Sequence, residues 1–93
     1  MEANVTIDFF AATALGRLDV VENLIRSESD VNETTNDGET PLYIAAQDGR
    51  EAVMRALIQA GADINKATEE SDTPLSASPT FEIAQILRNA GAV

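Results

Sequence analysis

One tripeptide occurs twice in this chain. Thr40, Pro41 and Leu42 return as Thr73, Pro74 and Leu75, thirty-three positions later. The same shift relates a second, independent set of residues: Ala12/Ala45, Gly16/Gly49, Val20/Val53, Leu24/Leu57, Ile25/Ile58, Asp30/Asp63, Val31/Ile64 and Asn32/Asn65. A period of about 20–50 residues is typical of stacked repeats, so the chain is expected to consist of similar units packed side by side.

The first unit is predicted to hold two helices. They are expected near Ile7 to Leu15 and Leu18 to Ser27, with Gly16 in the turn between them. Glu28 stands where the second unit has a glycine, and a left-handed residue other than glycine is strained. A frayed or differently shaped helix end is therefore expected near Ser27 to Ser29.

The second unit carries the clearest local signals. Thr40 is suited to cap a helix that begins at Pro41 and runs to about Asp48, because proline is tolerated at the first helical position. A further helix is expected from Glu51 to Ala60. Gly61 then suits the left-handed residue that commonly ends a helix.

The third unit is shorter than the others. Ala60-Gly61-Ala62 recurs as Ala90-Gly91-Ala92, three positions sooner than the repeat period requires, so three residues are missing between Leu75 and Leu87. Thr73 to Ala77 is predicted to form one short turn. Ser78 is then expected to cap a helix from Pro79 to Asn89, with these side chains inward: Phe81, Ile83, Ile86 and Leu87.

The missing residues also affect the second unit. A short turn would cover its first helix incompletely and would leave apolar surface open near Tyr43, Ile44 and Gln47. Alternatively, Phe81 folds back over the gap and closes it. Both outcomes are compatible with the sequence.

Two polar segments are expected to project as hairpin-like fingers: Ser29 to Glu39, the first finger, and Asp63 to Asp72, the second finger. The run Asn36-Asp37-Gly38 is a strong turn signal in the first.

One pattern runs from Asp37 to Asn65 and consists of Gly38, Thr40, Pro41, Leu42, Ala45, Ala46, Gly49, Val53, Leu57, Ile58, Gly61, Ala62, Asp63, Ile64 and Asn65. In this pattern the chain resembles the ankyrin-repeat family. The resemblance implies an all-α solenoid of helix-turn-helix units joined by finger loops. It also implies one domain over residues 1–93, with units at about 1–33, 34–66 and 67–93, and a role in binding another protein.

The net charge of −10 is unevenly placed. Residues 28–39 hold five acids and no base, and residues 63–72 hold four acids and one lysine. In ankyrin proteins the finger tips and the adjoining first helix form the usual binding face. Carried over by position, the partner-binding residues are Asn36, Asp37, Glu39, Tyr43, Gln47, Asp48, Glu69, Glu70 and Asp72.

An acidic binding face favours a partner protein with a basic surface. Acidic loops that merely keep the protein soluble are the competing interpretation. A third possibility is a homodimer formed through the exposed flank near the shortened unit.

Several function classes are disfavoured. The chain has no histidine and no cysteine, which removes the common catalytic triads and ordinary zinc sites. No glycine-rich phosphate loop or calcium loop is present, so neither an enzyme nor a cofactor is expected. The charge disfavours nucleic acid, and the lack of a long apolar run or a signal segment favours a cytoplasmic protein without membrane contact.

Overall fold

The computed structural model describes residues 8–93. These residues contain five α-helices and no β-strand: α1 (Phe9–Ala14), α2 (Leu18–Arg26), α3 (Pro41–Asp48), α4 (Glu51–Gln59) and α5 (Phe81–Asn89). Helices α1 and α2 pack together, as do α3 and α4, while α1 also contacts α3 and α2 contacts α4. Equivalent helices of successive units therefore stack on each other, as a repeat array requires. The predicted all-α fold class is confirmed.

A side-chain cap begins α1. Oδ1 of Asp8 accepts a hydrogen bond from the N–H of Ala11 at 2.8 Å, which satisfies a donor that the first turn leaves free. The predicted start at Ile7 lies outside the described residues. Gly16 has a φ of +71° in the turn to α2, a conformation that glycine adopts without strain.

In the second unit the helices lie where the capping residues predict them. Oγ1 of Thr40 accepts a hydrogen bond from the N–H of Tyr43 at 3.1 Å, and Pro41 takes the first position of α3. Ala60 is the C-cap of α4, one residue earlier than predicted. Gly61 follows with a φ of +91°.

The end of α2 differs from the expectation. Glu28 has a φ of +63°, so it takes the left-handed conformation in spite of its side chain. The N–H of Ser29 bonds to the carbonyl of Leu24 at 3.0 Å, the counterpart of the 3.0 Å bond from Ala62 to Leu57 in the second unit. The prediction of a differently shaped end is therefore wrong, because the same capping bond holds both turns.

The first helix of the third unit is reduced to a turn, as predicted, at residues 74–77. Two reciprocal hydrogen bonds join Thr73, just before this turn, to Ser76 within it. The N–H of Thr73 bonds to Oγ of Ser76 at 2.8 Å, and the N–H of Ser76 bonds to Oγ1 of Thr73 at 3.1 Å.

Helix α5 begins two residues later than predicted. Ser78 does not cap it, because its hydroxyl donates to the carbonyl of Pro74 at 3.0 Å. Thr80 is the cap instead, and its Oγ1 accepts from the N–H of Ile83 at 3.2 Å. Pro79 thus precedes the helix.

The prediction that Phe81 points inward is wrong. Its side chain is 71% exposed, whereas Ile83 and Leu87 are buried. Ile83 and Leu87 are four residues apart and share one helical face, and a residue two positions before Ile83 lies on the opposite side. Phe81 therefore faces away from the core.

The core runs along the stack of helices. Its buried hydrophobic residues are Phe9, Ala12, Val21, Leu42, Ala45, Ala46, Val53, Met54, Leu57, Ala62, Ile83 and Leu87. Ala45 and Ala46 on α3 are fully buried, and their small side chains suit closely packed helices.

Candidate functional site

The two fingers have the same internal hydrogen bonds. In the first finger the N–H of Thr35 bonds to the carbonyl of Glu39 at 3.0 Å, and in the second the N–H of Thr68 bonds to the carbonyl of Asp72 at 2.8 Å. Each threonine hydroxyl also accepts two backbone N–H groups of its own turn, at 3.2–3.3 Å. The repeat period therefore extends to the tips of the fingers.

The two finger tips are in direct contact. The N–H of Glu69 donates to the carbonyl of Asp37 at 3.0 Å. Gly38 is needed for this approach, since a Cβ at that position would lie 3.0 Å from the Glu69 nitrogen. Ser71 takes the equivalent place in the second finger with a φ of +70°.

This contact creates a cleft between the fingers and α3, which we call the acidic cleft. It has a volume of about 190 Å³ and is lined by Asp37, Glu39, Tyr43, Thr68, Glu69, Glu70 and Asp72. Five of these seven residues are carboxylates. An acceptor-rich cleft of this kind favours a cationic ligand with several hydrogen-bond donors.

Tyr43 is the aromatic residue of the cleft. It is only 6% exposed, so the expectation that the shortened third unit leaves it open is wrong. Phe81 does not cover it either, because Phe81 faces solvent. Burial raises the pKa of the Tyr43 phenol, and the nearby carboxylates of Asp72, Glu39 and Glu70 raise it further. The phenol therefore keeps its proton at neutral pH.

Six of the nine predicted partner-binding residues line the acidic cleft: Asp37, Glu39, Tyr43, Glu69, Glu70 and Asp72. Asn36, Gln47 and Asp48 are exposed and lie outside its lining. Thr68 lines the cleft and is not among the predicted residues, although it directly precedes two of them, Glu69 and Glu70.

The carboxylates do not converge on a single point. Within residues 8–93, no three acidic side chains are placed so that they could hold one metal ion. The acidic groups therefore surround the cleft and leave space between them.

A second concave surface lies between α4 and α5. It has a volume of about 330 Å³, and its lining includes Arg55, Phe81, Gln85 and Ile86. The exposed ring of Phe81 makes it the more apolar of the two surfaces. In the described part of the chain, no helix combines the length and the apolar character needed to cross a bilayer.

Comparison with known proteins supports the repeat architecture. The family model for ankyrin repeats (3 copies) matches residues 9–92. A search of curated proteins finds no match. Ankyrin repeats are generally protein–protein interaction modules, and this class of domain is non-enzymatic. Since the match covers almost the whole chain, the protein belongs to the ankyrin-repeat family.

Proposed function

We propose that this protein is a binding module that recognises a basic segment of another protein at the acidic cleft, without a catalytic step. The observation that carries the proposal is that five carboxylates, contributed by both fingers, line one cleft beside Tyr43. A segment rich in lysine and arginine is the complementary ligand, because opposite charges across an interface attract and like charges repel.

The distribution of charge over the chain supports the same partner. Residues 28–39 and 63–72 together carry −8 of the net charge of −10, so the negative field is strongest on the side of the fingers. A cleft lined by one sign of charge focuses this field and speeds the arrival of an oppositely charged ligand. Nucleic acid is a poor candidate, because its phosphates would be repelled.

The competing interpretation is that the acidic fingers only maintain solubility. That role requires charges on the surface but does not require them to be gathered together. Here the bond from Glu69 to Asp37 holds two acidic finger tips side by side. Gathered like charges repel each other in the free protein, and a basic ligand would relieve this repulsion.

Selection of peptides from a random displayed library tests the proposal. The bait is the wild-type protein, and the selected peptides are then measured against two variants that each lose three negative charges. The cleft variant is Glu69→Gln/Glu70→Gln/Asp72→Asn. The control variant is Glu22→Gln/Glu33→Gln/Glu82→Gln, whose three residues are exposed and lie outside the acidic cleft.

We expect the selected peptides to be rich in lysine and arginine and to bind more weakly as salt concentration rises, because exposed charges are screened. The cleft variant should lose this binding and the control variant should keep it. Peptides without basic residues, or equal binding to both variants, would reject the acidic cleft as the binding site.

Self-association is a second candidate function, and the exposure of Phe81 favours it. A large aromatic side chain that is 71% exposed, beside the groove between α4 and α5, offers an apolar contact between two copies. Sedimentation equilibrium over a range of protein concentrations tests it. A dimer that Phe81→Ser converts to a monomer supports self-association, and a monomer throughout excludes it.

A further inference from the structure

The hydroxyl of Tyr43 has an unusual position. The residue is 6% exposed, yet the hydroxyl makes no hydrogen bond with any other residue of the described chain. Within residues 8–93, Thr13 Oγ1 is the one buried side-chain polar atom that has neither a hydrogen-bond partner nor access to solvent. The Tyr43 hydroxyl, which also has no partner there, is therefore in contact with solvent. Tyr43 lines the acidic cleft, and its phenol is close enough to three carboxylates of the same cleft for their charges to act on it, so we infer that the hydroxyl faces the cleft.

The hydroxyl is open to solvent, so water can satisfy it in the free protein, and a ligand that enters the cleft can replace that water as its hydrogen-bond partner. Its surroundings define the ligand chemistry. Glu39, Glu70 and Asp72 lie close enough for their charges to act on the phenol, and a carboxylate can only accept hydrogen bonds. The cleft therefore offers many acceptors and requires a ligand with many donors.

A guanidinium fits this requirement better than a metal ion or an ammonium group. No three acidic side chains within residues 8–93 are placed to hold one metal ion. Guanidinium is planar, carries five N–H donors and is less strongly hydrated than the ammonium group of lysine, so it is easier to place in a partly buried cleft. The volume of about 190 Å³ is several times the share of one water molecule, roughly 30 Å³.

We propose that the acidic cleft is a subsite for one arginine side chain of the partner, with the Tyr43 hydroxyl accepting an N–H of the guanidinium and the surrounding carboxylates accepting others. This inference rests on the proposed function and narrows it from a basic partner to an arginine at a defined place. A planar guanidinium can place separate N–H donors on the Tyr43 hydroxyl and on the carboxylates at the same time, whereas the compact ammonium of lysine presents its three donors at one point.

NMR titration of the full chain tests the subsite. The probes are three capped tripeptides with a central arginine, lysine or citrulline, the last being the uncharged analogue of arginine, and calcium chloride as the metal alone. The readout is the shift of the backbone amides of Thr68, Glu69 and Asp72. We expect the arginine peptide to shift these amides at lower concentration than the lysine peptide, and citrulline and calcium to leave them unchanged.

The variant Tyr43→Phe removes the hydroxyl and keeps the ring. It should weaken binding of the arginine peptide by roughly three- to tenfold, the effect of one hydrogen bond, and change lysine binding much less. Its thermal melt should match the wild type, since no hydrogen bond within the described residues is lost. Equal affinity for arginine and lysine, unchanged arginine binding in Tyr43→Phe, shifts with calcium alone, or no shifts at millimolar peptide would each overturn the subsite.

Glu70→Gln and the control Glu33→Gln separate this inference from the proposed function. Both residues are exposed and both substitutions remove one charge, but only Glu70 lines the cleft. If Glu70→Gln alone weakens both basic peptides while arginine and lysine bind equally, the arginine subsite fails and the acidic binding face stands. If neither substitution matters, both proposals fail.

Discussion

The side-chain oxygen of Asn32 accepts a hydrogen bond from the backbone N–H of Asp63 at 2.7 Å. Asn65, the equivalent of Asn32 in the next unit, makes the same bond to the N–H of Val93 at 3.2 Å. The bond to Asn32 joins residues 31 positions apart, and the bond to Asn65 joins residues 28 positions apart, three fewer. The third unit thus loses its three residues before the end of α5. After α5 the chain is again in the equivalent place, where Val93 makes the bond that Asp63 makes one unit earlier.

Replacing Asn32 with alanine should destabilise the protein. The substitution removes the acceptor of the Asp63 N–H, and the loss of one such bond lowers the free energy of unfolding by about 0.5–1.5 kcal/mol. Asn65→Ala is the matched comparison and should have a smaller effect, because Asn65 is exposed and water can replace both of its longer bonds, the one from Val93 and the 3.4 Å bond that its Nδ2 donates to the carbonyl of Gly91. Urea unfolding of both variants measures the difference, and a larger loss for Asn65→Ala would contradict this prediction.

Truncation of Leu57 should be much more damaging. This side chain is completely buried in the core between the units, and Leu→Ala substitutions at such sites lower the free energy of unfolding by about 2–5 kcal/mol. That is a large part of the stability of a small domain. The control is Leu15→Ala, the same substitution at a residue that is 62% exposed. The melting temperature measured by calorimetry should fall sharply in Leu57→Ala and hardly in Leu15→Ala. Similar melting temperatures would mean that Leu57 does not contribute to the core.

Arg50 is predicted to stabilise the contact between the first two units. Its guanidinium donates two hydrogen bonds to the carbonyl of Ala14 at the end of α1, at 3.2 and 2.9 Å. A positive charge at that helix end is also favourable. Arg50→Ala should therefore lower the free energy of unfolding by about 0.5–1.5 kcal/mol, an amount that allows for the exposure of this arginine.

Arg17 is the control for that experiment, since it precedes α2 as Arg50 precedes α4. Its ion pair with Asp19 is 3.4 Å long and largely exposed, and pairs of this kind contribute little. Arg17→Ala should leave the urea midpoint unchanged. Equal losses for the two arginines would show that the bonds to Ala14 are not the cause.

The titration of Tyr43 should report the acidic cleft directly. Tyr43 is the single tyrosine and the chain has no tryptophan, so ultraviolet absorbance follows one phenol. Burial and the carboxylates of Asp72, Glu39 and Glu70 raise its pKa above the ordinary value of 10.0. We expect a midpoint above that value in the wild type and a lower one in Glu39→Gln/Glu70→Gln/Asp72→Asn.

The raised pKa also has a consequence for stability. The folded protein holds the phenol proton more tightly than the unfolded chain, so this contribution is fully present below the unfolded pKa and is lost as pH rises through the folded one. The melting temperature of the wild type should therefore fall more steeply than that of Tyr43→Phe on going from neutral pH to above pH 10. Parallel declines would indicate that Tyr43 titrates normally.

Most of the helical framework could be predicted because its signals are local. The cap at Thr40, the proline at the first turn of α3 and the glycine after α4 each act on backbone groups within a few residues. The repeat period then placed the same elements in the neighbouring unit. Six residues of the acidic cleft were predicted by the resemblance to ankyrin proteins, whose usual binding face was carried over by position.

Competition between hydrogen bonds within the third unit, together with contacts between units, decided the rest. Ser78 bonds to Pro74 and leaves Thr80 to cap α5, and the burial of Ile83 and Leu87 turns Phe81 outward. The bond between Glu69 and Asp37 and the guanidinium of Arg50 on Ala14 join residues that are far apart in the sequence. Local chemistry acts over about one turn of the chain and specifies where most helices begin and end. Which side chains are buried, how the fingers close the cleft and where the unpaired Tyr43 hydroxyl lies all depend on how the units stack.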